Sequence, residues 1–87
     1  MMTSYEKAQK GIILLKSAVY EMLKETGEKG LRNVDVGKSL GIYAGHIGHQ
    51  GHISRTVLEL LRSEGVAEQK NDKRWHLVAT DQLEETE

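Results

Sequence analysis

Between Ser4 and Glu25 the apolar residues Tyr5, Ala8, Ile12, Leu15, Val19 and Met22 recur in steps of three and four, with Gly11 the only glycine. That period predicts a long amphipathic helix. Thr3 or Ser4 can cap its start, and Gly27 supplies the left-handed residue that commonly ends a helix. Ile13 and Tyr20 form a second strip beside Gln9 and Lys16. The apolar arc is therefore wider than one packing partner needs, and it suits either a helix packed on both flanks or a dimer seam.

Gly30-Leu31-Arg32 allows a turn or a brief strand. Asn33 then offers an N-cap to a short helix from Val34 to Leu40, closed by Gly41 and the apolar Ile42. A tripeptide repeat follows: Gly45-His46-Ile47, Gly48-His49-Gln50, Gly51-His52-Ile53. Its last unit merges with the spacing of Ile53, Val57, Leu60 and Leu61, which predicts a helix from Gln50 or Gly51 to Ser63, stopped at Gly65. Val66–Lys70 and Lys73–Val78 then alternate as two strands around an Asn71-Asp72 turn. In the register this turn implies, Val66 lies opposite Leu77, Glu68 opposite Trp75, and Gln69 opposite Arg74.

Composition narrows the reading. A chain of 87 residues holds one core, expected over residues 1–80, and its lack of cysteine removes disulfides as a staple. Extra buried surface, such as a subunit contact through the first helix, would help it. With no signal-like start and no long apolar run, the expectation is a cytoplasmic protein without a membrane role. The net charge of −1 conceals an asymmetry, because residues 81–87 carry Asp81, Glu84, Glu85 and Glu87 and no base. Removing those four from thirteen acids leaves nine against twelve bases, a net of +3 over residues 1–80. The acidic tail reads as solvated and disordered.

Pointing Ile53, Val57, Leu60 and Leu61 inward places His52, Arg55, Glu59 and Arg62 on the opposite helix face, with Gln50 near the start. Arginine can donate two bonds to guanine and glutamine can bracket adenine. Lys70, Asn71, Lys73 and Arg74 gather charge at the hairpin tip, where phosphate contacts would make affinity salt-dependent. Lys38, His46 and His49 are further candidates for backbone contact. A plainer account has Arg55 and Arg62 solvating an exposed helix and pairing with Glu59, with the hairpin charges guarding a sheet edge.

Long helix, brief strand, short helix, amphipathic helix, hairpin: over about residues 5–78 this order resembles the winged helix-turn-helix family. The matching segments are Asn33–Leu40 with Gly41-Ile42, Ile53–Leu61, and Val66–Val78. The resemblance implies a mainly helical α+β fold whose third helix enters the major groove while the hairpin touches backbone or minor groove. The segment from Tyr43 to Gln50 is longer than the few residues that usually join the two helices.

Other chemistry is poorly supplied. The spaced histidines, with His76 as a fourth, invite a metal, but there is no cysteine and no carboxylate between Asp35 and Glu59. No metal or cofactor is expected; the imidazoles suit phosphate contacts or the capping of glycine-rich backbone. Gly37-Lys38-Ser39 echoes a phosphate-binding loop, yet Arg32 stands where its first glycine would be. No nucleophile-base set or carboxylate pair indicates an enzyme. Trp75 reads as a plug between hairpin and helices, and Tyr43 as a ligand contact or a cover for Ile42. The expected function is double-stranded DNA binding by a homodimer that regulates transcription or targets DNA. A winged protein-interaction module is the alternative, and a histidine metal sensor a weaker one.

Overall fold

The computed structural model describes residues 1–43 and 50–78. Three helices, α1 (Ser4–Thr26), α2 (Asn33–Ser39) and α3 (His52–Ser63), precede an antiparallel hairpin of β1 (Ala67–Gln69) and β2 (Trp75–Leu77). The fold is mainly helical α+β. His46, His49 and the acidic residues 81–87 lie outside the described residues. Among the described residues no helix is long and apolar enough to cross a membrane.

Each helix end has a local cause. At the start of α1 the Thr3 hydroxyl accepts from the Glu6 amide at 3.1 Å, and the Glu6 carboxylate accepts from the Thr3 amide at 2.9 Å. This reciprocal box satisfies two amides that the helix leaves unpaired. Gly41 and Gly65 end α2 and α3 in left-handed conformations. In each case the amide one residue later reaches back, Ile42 to the Gly37 carbonyl at 2.8 Å and Val66 to the Leu61 carbonyl at 2.9 Å.

The core joins Val19 and Leu23 of α1, Val36 of α2, Val57, Leu58 and Leu61 of α3, and Ala67 and Trp75 of the hairpin. Trp75 is indeed the plug, only 2% exposed. Leu31 forms a bridge to it, donating to and accepting from the Trp75 backbone at 3.1 and 2.7 Å. The segment before α2 is thereby tied to the hairpin.

Four expectations need correction. In α1 the inward stripe is buried only at Val19; Leu23, absent from the expected set, is buried too, while Tyr5 and Ile12 are exposed because the start of the helix overhangs the body. In α3 the buried face is Ser54, Val57, Leu58 and Leu61, and Ile53 is exposed. Periodicity ranked by hydropathy passed over Ser54, which is buried because its hydroxyl donates to Asn33 Oδ1 at 2.7 Å. Asn33 in turn is no N-cap: it begins α2, and its amide nitrogen donates to the Gly51 carbonyl at 3.2 Å. The cap position belongs to Arg32, whose backbone amide donates to Asp35.

The hairpin is also displaced by one residue, with Ala67 opposite Leu77, Glu68 opposite His76 and Gln69 opposite Trp75. Its loop holds three residues, closed by the Lys73 amide donating to the Lys70 carbonyl at 2.8 Å, with Lys73 itself at a φ of 68°. A turn followed by a left-handed residue is the usual three-residue hairpin solution. The shift decides which side chains face the core: it puts Ala67 beside Trp75 and moves Glu68 to the other face. On that other face His76 is also buried, against Gly30, where a Cβ would lie 2.5 Å from the imidazole.

Candidate nucleic-acid interface

The junction of α2 and α3 sets the orientation of the outward face of α3. Gly37 lets the helices meet, since a Cβ there would stand 2.8 Å from the Tyr43 ring and 2.9 Å from the Ser54 hydroxyl. Gly51 is equally constrained, with φ at 86° and a hypothetical Cβ 2.7 Å from the Asn33 amide. Tyr43 is thus packed over this junction and half-buried. Lys38 lies over its ring at 5.6 Å.

With the junction fixed, α3 turns Arg55 and Glu59 toward a cleft of about 260 Å³ that also meets Arg32, Asn33, Gln69 and Lys73. Trp75, Val34 and Tyr43 complete its walls. Three cations from three separate segments therefore open on one depression. Neither Arg55 nor Lys73 has an ion-pair partner among the described residues. Arg32 has only a loose one, 3.8 Å from the Asp35 carboxylate with both side chains well exposed. Among the described residues Glu59 is the one carboxylate on the cleft, and Arg62 pairs with it.

The remaining expected contacts differ in where the fold places them. Lys70 and Asn71 are exposed at the hairpin tip. Arg74 donates to the Gly30 carbonyl at 3.3 Å, and Arg62 stacks 5.4 Å from the centre of the Trp75 ring as well as pairing with Glu59. Both arginines thus hold the structure together as much as they present charge. His52 is exposed on the first turn of α3 and Gln50 half-buried just before it. Among the described residues no group of three or more His, Asp or Glu could hold a metal ion.

Arg32, Asn33 and Gln69 were not foreseen as part of this surface. The only signal for Arg32 was its place after Leu31, and a single bridge to Trp75 cannot be read from a tripeptide. Gln69 reaches the cleft because of the hairpin shift, and its side-chain amide donates to the Lys73 carbonyl at 3.1 Å. No family model matches the chain, and no curated protein and no solved structure matches it either.

Proposed function

We propose that this chain is a winged helix-turn-helix protein that binds double-stranded DNA, as a regulator or targeting subunit in the cytoplasm and not as an enzyme. The observation that carries the reading is the cleft on which Arg32, Arg55 and Lys73 converge, Arg55 from the helix and Lys73 from the hairpin that the family would bring to DNA, and Arg32 from the segment before α2. The order of elements supports it, as does the Leu31–Trp75 bridge that ties the segment before α2 to the hairpin.

In this reading α3, twelve residues and roughly 18 Å long, lies in a major groove about 12 Å wide. Gln50 just before the helix and His52 and Arg55 on its first turn meet base edges. Arg32, Lys70, Lys73 and Asn71 lie on phosphates, and Lys38 extends the backbone contact. Arg62 and Arg74, braced against Trp75 and Gly30, shape the surface more than they read it. Three or four phosphate contacts give a moderate affinity with a log-log salt slope of about −3.

The double change Arg55→Glu with Lys73→Glu tests this, because Arg55 and Lys73 are exposed and the fold should survive. Titrated against a labelled random duplex at low salt, the variant should lose binding by about a hundredfold or more. Unchanged duplex affinity in a folded variant would refute this footprint. Failure of the parent chain to bind duplex would favour a protein-interaction module.

A further inference from the structure

We propose that the exposed strip of α1 is a self-association surface on which a second copy of this chain lies antiparallel, α1 against α1. At about 100° per residue, Ile13 and Tyr20 fall on one line of the helix and Tyr5 and Ile12 on the neighbouring line, with Met2 just ahead of the extended N-cap. All five are exposed, Tyr5 at 73% and Ile13 at 59%; Ile13 and Tyr20 lie off the line that the body buries through Val19 and Leu23, and Tyr5 and Ile12 continue that line beyond the body's edge. Ile12 also borders a shallow apolar groove of about 270 Å³ with Ile53, Thr56 and Leu60 of α3. The strip and the groove form one continuous patch.

Its size suits a subunit contact. At roughly 200 Å² for a side chain of this kind when fully exposed, the five residues offer on the order of 500 Å². Ile53, Gln9 and the stem of Lys16 extend this toward the roughly 800 Å² per partner of a standard interface. A patch of this size is among the largest that a monomer ordinarily exposes, and such patches are often functional.

The order of residues along the strip points to a copy of itself as the occupant. An isologous contact must be self-complementary. When two copies of α1 run antiparallel with Ile12 against Ile13 at the two-fold axis, Tyr5 of one falls opposite Tyr20 of the other, and Gln9 falls opposite Lys16. Apolar meets apolar and polar meets polar. Lys16 fits this place because Glu64 of its own chain holds its ammonium at 2.7 Å, which leaves the aliphatic stem to face the second copy. A strip shaped for an unrelated helix or a lipid surface has no reason to match its own reverse. The inference is independent of DNA binding; if both hold, each assembly carries two cationic clefts.

Sedimentation equilibrium on the full chain tests it directly. The parent chain should be a reversible dimer. Ile13→Glu should weaken association by about a hundredfold or more, since each interface then buries two opposed charges, and should keep its helical circular dichroism. Leu14→Glu is the control, because Leu14 is 62% exposed on the far side of α1, and this variant should still dimerise. A monomeric parent chain at high micromolar concentration overturns the proposal, and so does a dimer that survives Ile13→Glu or is lost in Leu14→Glu alone. The orientation has its own check in a chain without native cysteine. Copies carrying Tyr5→Cys and Tyr20→Cys, mixed and oxidised, should cross-link to each other, and a dimer that gives no such product contradicts the antiparallel register.

Discussion

At the α2–α3 junction the side chains of Asn33 and Ser54 bond to each other and to Gly51, and the helices touch through Gly37. The opening turns of α1 instead carry Tyr5, Ile12, Ile13 and Leu14 into solvent. Both regions are helical and both were expected to be. Helix formation at the start of α1 needs only a capping box and continuity with the packed turns that follow. Orientation, as at the junction, needs side chains that fit nowhere else. The start of α1 is suited to meeting another surface, the junction to holding one in place.

The sharpest way to break this contrast is to truncate one residue in each region. Leu58→Ala, at a fully buried position beneath the junction, should cost about 2–5 kcal/mol in denaturant unfolding. Tyr5→Ala, made in the Ile13→Glu background so that association does not intervene, should stay within about 0.5 kcal/mol. Similar losses at both sites would show that α1 is packed along its length after all.

A smaller effect probes the polar lock alone. Asn33→Ala leaves the buried Ser54 hydroxyl with only its weaker partner, the Gly51 carbonyl at 3.2 Å, and should cost about 1–3 kcal/mol. Because Asn33 also faces the cleft, the variant should lower duplex affinity as well as stability. Stability loss without any change in duplex binding would separate the lock from the site.

These two regions also show what could be read from the residues. Helices, their glycine stops and the hairpin follow from spacing and turn chemistry, as does the buried Trp75. The exact faces did not follow, because hydropathy favours Ile53 over Ser54, and only a specific partner such as Asn33 makes a serine interior. The hairpin register turned on whether Lys73 belongs to the loop, which depends on a backbone conformation that lysine rarely adopts. In the site, Arg55 and Lys73 were legible as exposed cations. Their convergence with Arg32 was not, since it arises from the long-range bridge between Leu31 and Trp75.

That strained loop gives a gain instead of a loss. Lys73→Gly should stabilise the hairpin by about 0.5–1 kcal/mol, since glycine takes a positive φ without steric cost, and should weaken duplex binding by removing a charge. A lysine that proves more stable than glycine there would contradict the left-handed loop.

The smallest effect lies at the other end of the contrast. The Thr3 backbone amide, and then its hydroxyl, hold the Glu6 carboxyl below its ordinary value of 4.5. A depressed folded value means that the contribution is present above the unfolded value and is lost as pH falls through the folded one. The protection of the Thr3–Lys7 amides, taken relative to the intrinsic exchange rate at each pH, should therefore fall as pH drops below about 4.5, and Glu6→Gln should flatten that response. A pH-independent first turn would mean that the box does not form in solution.

The central claim is that the junction holds a cationic surface for duplex DNA, and fluorescence anisotropy of a labelled random-sequence duplex, titrated at several salt concentrations with and without a chelator, tests it most directly. The account predicts binding that weakens with salt along a slope of about −3, is indifferent to the chelator, and loses about one unit of slope for each phosphate-contacting cation removed. Absence of binding at low salt, or binding that salt leaves unchanged, would contradict it.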